Sequence, residues 1–258
     1  DMKRNFAATF APLAILGVLG LAACTSSTSP GTGTIQVRMT DAPGDFDAVT
    51  IVVEEVSVHR GDNADSLSGW EVISSGAATY NLLSLQNGVF ATLGSTTLPA
   101  GRYTQVRLKV GAGSTVTVGG IAFPLTIPSG MQSGIKLTGS FDVPANGLLD
   151  LALDFDAQRS IVITGNGVYK LKPTIRVLPF STAGTITGSV NPVTETTVYA
   201  LQGADTLQAA TTNSLGQFTL SALAAGTYSV AFNPTNTASY RDTTLASVSV
   251  ASQATTSL

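Results

Sequence analysis

The chain is short of the residues that carry most enzymatic and metal chemistry. It has one cysteine (Cys24), one histidine (His59) and one tryptophan (Trp70), and charged side chains make up only 11% of it. A single cysteine excludes an intramolecular disulfide, and with one histidine the usual Cys and His zinc sets cannot be assembled. Basic residues are outnumbered, 13 Lys plus Arg against 16 Asp plus Glu, so the cationic footprint that nucleic acid requires is missing. No HExxH pattern includes His59 and no GxSxG occurs anywhere, which leaves the zinc-protease and serine-hydrolase templates without support. What is abundant points elsewhere. Gly, Ser, Thr, Val, Ala and Leu dominate, a mix that favours many short strands joined by turns, so the expected fold class is all-β.

Only one apolar run is long, and it stands near the start. MKRNFAATFAPLAILGVLGLAAC, residues 2–24, places Lys3 and Arg4 before an apolar run from Ala11 to Leu21 and then small residues. That run is shorter than the roughly 20 apolar residues a membrane span needs, so residues 1–23 are expected to be a secretory signal peptide. Leu21-Ala22-Ala23-Cys24 resembles the lipobox of bacterial lipoproteins. The resemblance implies cleavage before Cys24, acylation of its thiol and anchoring in a membrane by several acyl chains. Thr25, where an Asp would resemble inner-membrane retention, resembles outer-membrane cargo of a Gram-negative cell envelope. The alternative is a plain signal peptide with an incidental cysteine. Residues 24–34, rich in Ser, Thr, Gly and Pro, are expected to form a flexible tether that holds the first domain off the membrane.

From Ile35 the pattern is of strands. Ile35, Val37 and Met39 alternate with Gln36, Arg38 and Thr40, and the strand ends at the turn DAPGD. In VTIVVEEVSVH the apolar phase slips between Val53 and Val56, which predicts a bulge near Glu54-Glu55 or burial on both faces. TVTVGGIAFPLTIP reads as a hairpin about Gly119-Gly120, and no long helix is expected. A first β-sandwich-like domain over 35–180 and a second over 184–258 meet near Phe180. LPAGRYTQV and LAAGTYSVA repeat a phrase, but Tyr228 is in phase with Val230 and Phe232 whereas Tyr103 is out of phase with Val106 and Leu108. The two strands are equivalent only if a bulge intervenes in the first.

GTITGSV, VYAL and NSLGQFTLSALAAGTYSVAF resemble the carboxypeptidase regulatory-like domain, a transthyretin-like or carbohydrate-binding-like sandwich. That resemblance covers most of 184–258 and implies assisting, attachment or binding roles without catalysis. Residues 33 to about 178 resemble a domain family of unknown function found in bacterial and archaeal exported lipoproteins, through GTIQVRMTDAPGDFDAVTIVVEEVSVH, YNLLSL, LPAGRYTQVRL, LDFDAQRSIVITG and YKLKPTIRV. It implies a fold and a location and brings no reaction.

The carboxylates are the candidates for chemistry. Along LLDLALDFDA, Leu149, Leu151, Leu153 and Phe155 are expected to point inward and Asp150, Asp154 and Asp156 outward, facing cations such as Arg107, Lys109, Lys170, Lys172 or Arg176 on neighbouring strands. A second reading is a Ca2+ site formed by Asp41, Asp45, Asp47, Asp154 and Asp156, although the spacing is not that of an EF-hand. A carboxylate pair of a glycosidase is a third. For TDAPGD itself the simplest reading is a turn in which Asp41 closes an Asx bond, Pro43 fixes φ and Gly44 relieves the bend. His59 is expected at a strand end facing solvent. Trp70 and Tyr80 are sugar-stacking candidates if exposed, and core residues otherwise. No catalytic residue is assigned. Taken together the chain reads as a non-enzymatic, lipid-anchored envelope protein that binds a ligand, with carbohydrate as the class the fold resemblance implies, or mediates adhesion. Its partners would be the membrane, through Cys24, and a glycan or envelope protein. The alternatives are an assembly scaffold and a calcium-dependent or carboxylate-based hydrolase.

Overall fold

The computed structural model describes residues 31–61, 69–128 and 133–258. Its first strands are β1 (Thr32–Ala42), β2 (Ala48–Arg60), β3 (Trp70–Asn81), β4 (Ala91–Pro99), β5 (Gly101–Val110), β6 (Thr115–Val118) and β7 (Ile121–Thr126). Then come β8 (Ile135–Val143), β9 (Leu148–Asp156), a single helical turn α1 (Ala157–Ser160), β10 (Ile161–Ile163), β11 (Tyr169–Leu171) and β12 (Ile175–Pro179). Last are β13 (Ala183–Ser189), β14 (Thr196–Gln202), β15 (Asp205–Thr211), β16 (Gln217–Ala224), β17 (Gly226–Pro234), β18 (Thr243–Val250) and β19 (Thr255–Ser257). The protein is all-β, as its composition requires.

Four strands, in the order β12-β9-β1-β4, make one sheet of the first sandwich, with β1 and β9 parallel. The facing sheet runs β10-β11-β7-β6-β2-β5-β8, with β3 on the other side of β2. Alternation along β1 sends Ile35, Val37 and Met39 into a cluster shared with Ile51, Val106 and Leu108 of the facing sheet. A second cluster, built on Ile186, Val198, Leu220 and Val230, lies between the sheets β16-β13-β19 and β15-β14-β17-β18. The connection between the sandwiches is one short turn, Phe180–Thr182. Phe180 is packed edge-on to Phe90 and lies under the Arg38 guanidinium, 5.2 Å from its ring centre, which pins the joint to the first sandwich.

The phase slips in the sequence appear as bulges. β2 shifts register between Val53 and Glu55 against both of its long neighbours. β5 shifts between Tyr103 and Gln105 against β8, which restores Tyr103 to the core face that Val106 and Leu108 occupy. The repeated phrase is thereby equivalent in both sandwiches: Tyr103 Oη donates to the Pro99 carbonyl at 3.0 Å and Tyr228 Oη to the Ala224 carbonyl at 2.7 Å, each four residues back. The β6–β7 hairpin turns at Gly119 and Gly120, both at positive φ (58° and 76°), as a two-residue turn demands.

Several expectations need correction. Arg107 and Lys109 do not face the β9 carboxylates; they pair with Glu55 at 3.0 Å and Glu54 at 3.4 Å on β2. His59 is buried, because β3 and the approach of Gly69 cover it, and its ring meets that of Trp70 edge-on at 5.1 Å.

Candidate functional site

The alternation of burial stops at the C-terminal ends of β1 and β9. Thr40, Asp41 and Ala42 are buried in succession, and so are all residues from Leu151 to Phe155. Both faces of these two strands are therefore covered there. The inner face meets the core; on the outer face Thr40 donates to the Leu85 and Val89 carbonyls, and Asp154 meets Gln208 of β15 in the second sandwich. Asp154, expected to face solvent, is consequently only 5% exposed. Its carboxylate accepts from the Arg176 guanidinium on β12, with Nε at 2.9 Å, and from Gln208 Nε2 on β15 at 3.1 Å. The same Gln208 nitrogen donates to the Ser221 carbonyl at 3.1 Å, so one amide ties a β9 carboxylate to the neighbouring sandwich. Burial raises the Asp154 pKa, and Arg176 opposes that rise. Of the cations proposed to face β9, Arg176 does so; Arg38 of β1, bound to Asp150, supplies the other.

Asp41 does not close its own turn. Its Oδ1 accepts from the Ala157 N–H at 2.9 Å, 116 residues away, while its buried Oδ2 has no hydrogen-bond partner. Burial, reinforced by the like charges of Asp154 and Asp156 and opposed by the Ala157 bond, pushes its pKa up to about 8. Asp156 caps α1 through the Arg159 N–H at 2.8 Å and lies 3.5 Å from the Arg159 Nε. Asp47 accepts from the Gly120 N–H at 2.7 Å and so props the β6–β7 hairpin, and the Asp45 N–H donates to Gln158 Oε1 at 2.8 Å. Asp41 and Asp156 are thus committed to the α1 backbone, Asp47 to a hairpin and Asp154 to Arg176 and Gln208. Among the described residues no group of three or more His, Cys, Asp or Glu side chains is placed to hold a metal ion.

The turn Pro43-Gly44-Asp45 and the α1 turn form one wall of a cleft of about 420 Å³, and β14 with β15 forms the other. That volume is within the roughly 300–1,000 Å³ of small-molecule sites. Thr197, Tyr199 and Thr206 project into it from the second sandwich, with Glu195 at the start of β14, and Gln158 and Arg159 from the first. Sequence reasoning picked out the turn and missed the opposite wall, since nothing in the strands VYAL and TLQAAT announces that they face a loop over 150 residues earlier. Trp70 and Tyr80 are not part of this cleft. They stand near opposite ends of β3, ten residues apart and so about 33 Å in an extended strand, too far for one stacking platform. The Arg107 guanidinium covers the Trp70 ring at 4.2 Å, and Tyr80 packs against the first core. Cys24 lies outside the described residues.

Comparison with solved structures gives similarity to the Bacillus anthracis TIE protein (13% identity, TM-score 0.21, 88% of this chain and 33% of that one). It gives similar values for GBS52, the minor pilin of Streptococcus agalactiae (13%, 0.22, 86% and 93%), and for the shaft pilin spaA of Lactobacillus rhamnosus GG (9%, 0.23, 87% and 96%). The chain spans about a third of the TIE protein, and likenesses at these TM-scores carry no argument about function. No curated protein matches the chain. A family model described as "Domain of unknown function (DUF4382)" matches residues 32–173, which is more than half of the sequence and takes in both Asp41 and the α1 turn. The chain belongs to that family.

Proposed function

We propose that the protein is an exported, non-catalytic binding protein of the cell envelope, anchored to the outer membrane by acyl chains on Cys24 and taking a carbohydrate into the cleft between its sandwiches. The observation that carries the ligand reading is the lining of that cleft. Thr197, Thr206 and Gln158 offer hydroxyl and amide groups suited to a polyol, and Tyr199 offers a ring against which a sugar face can stack. The resemblance of the second sandwich to carbohydrate-binding-like modules agrees with this. Export and anchoring rest on residues 2–24, with their basic start, apolar run and lipobox-like end. Among the described residues no helix is long and apolar enough to cross a membrane.

In this reading the carboxylates bind and do not react. Asp156 is occupied by the α1 backbone and Arg159, and Asp45 and Glu195 belong to opposite walls. The test is titration calorimetry against a panel of oligosaccharides, with the wild type and Tyr199→Ala. Binding by the wild type that weakens in the variant supports the cleft, and silence across the panel refutes it. A scaffold role is the second reading, favoured by β18, an edge strand that among the described residues pairs only with β17 and whose first five residues are exposed. Carbohydrate silence together with concentration-dependent self-association that a proline at Ala246 abolishes would select it.

A further inference from the structure

The charges in the cleft do not balance. Asp156 and Arg159 offset one another, and Arg159 is further committed, its second guanidinium nitrogen donating to the Thr206 carbonyl at 3.3 Å. Asp45 and Glu195 have no such counterpart. Both are exposed, they come from opposite walls, and among the described residues neither side-chain carboxylate makes a hydrogen bond or an ion pair. Their backbones do hold the walls in place: the Asp45 N–H bonds Gln158, and the Glu195 carbonyl accepts from Thr235 Oγ1 at 3.1 Å. The cleft therefore presents two free acceptors of positive charge and no free guanidinium to meet an acidic sugar.

We infer that the cleft selects sugars that carry an ammonium group over their neutral and acidic counterparts. The inference rests on the carbohydrate reading above and adds the charge class of the ligand. An ammonium group between Asp45 and Glu195 gains Coulombic attraction from both walls. The Tyr199 ring adds a cation–π surface. Thr197, Thr206 and Gln158 remain for the ring hydroxyls. A neutral sugar keeps the hydroxyl contacts and loses the charge attraction, and a uronic acid meets repulsion.

The experiment compares a glucosamine tetrasaccharide, its N-acetylated form and a galacturonate tetrasaccharide by calorimetry at low and high salt. The wild type is set beside an Asp45→Asn, Glu195→Gln double variant. Because neither carboxylate supports a structural bond, the double variant keeps the fold, as its circular dichroism should show. The expected result is an affinity about tenfold higher for the amino form than for the acetylated form. That advantage shrinks as salt rises. It disappears in the double variant, which binds the amino and acetylated forms equally. Equal affinity for the amino and acetylated forms, with Tyr199→Ala still weakening both, overturns the charge inference and leaves the carbohydrate cleft standing. Tighter binding of the galacturonate also overturns it. Trilysine binding as tightly as the amino sugar overturns the assignment to sugars. Silence toward all three sugars removes both readings together.

Discussion

Asp41→Asn tests the electrostatics of the joint most directly. The Asp41 carboxyl is 2% exposed, accepts one backbone N–H and has its other oxygen buried without a partner, beside Asp154 and Asp156. Its pKa rises from 3.8 in the unfolded chain to about 8 in the folded protein. The folded state then holds a proton that the unfolded state has released, so stability is full below pH 3.8 and falls as the pH climbs toward 8. Each pH unit costs about 1.4 kcal/mol, and the window of about four units gives a loss of about 6 kcal/mol, in order of magnitude. Asparagine keeps an oxygen for the Ala157 N–H and cannot ionise.

The assay is urea or thermal unfolding of the wild type and Asp41→Asn at intervals from pH 4 to pH 9. Near pH 4 the two proteins resemble each other, because the protonated acid and the amide each leave one group unbonded. Toward pH 8 the variant becomes the more stable, by several kcal/mol, which for a chain of this size is a difference in Tm of about 10 °C or more. Asp150 also has a raised value, but it is present in both proteins and does not act on Asp41, so it cancels from the comparison; Asp154, also raised, is coupled to Asp41, and the difference between the proteins reads the two together. Parallel curves for the two proteins across this range would refute the reasoning, since they would mean that Asp41 ionises in the fold as it does in the unfolded chain.

Gln208→Ala removes the amide that links Asp154 to the Ser221 carbonyl and should lower stability by about 1 to 3 kcal/mol, read as a shift of the urea midpoint. If the midpoint does not move, the sandwiches are not joined through this residue. Tyr103→Phe and Tyr228→Phe each delete one hydroxyl-to-carbonyl bond at equivalent turns that cross from one sheet of a sandwich to the other, and each should cost about 1 kcal/mol, the two losses adding in the double variant because they lie in separate cores. Gly88 has φ at 80°, and a Cβ there would stand 3.0 Å from Thr219 Cγ2, so Gly88→Ala should destabilise by more than about 1 kcal/mol and broaden amide exchange at the joint.

How much of this was legible in the sequence depended on whether a signal was local. The bulge in β2 and the Gly119-Gly120 hairpin follow from short-range pattern, since apolar phase and positive φ act within a few residues. The repeated LxAGxY phrase was readable to the extent of requiring a bulge, and the register shift after Tyr103 supplies it. The site was not readable in the same way. Period-two alternation assigns Asp154 to an outer face, and it is on that face; but an outer face is solvated only if nothing else is packed there, and here β15 is. The clue was Ala152, a small apolar residue on the nominally outer face between Asp150 and Asp154, which is fully buried. A cluster of carboxylates that looks like a metal site in one dimension is in three dimensions a set of supports: Asp41 and Asp156 hold α1, Asp47 holds a hairpin, and Asp154 holds the second sandwich. The residues left free by that division of roles, Asp45 and Glu195, are the ones with capacity to meet a ligand, and only the pairing of the sandwiches puts them on one cleft.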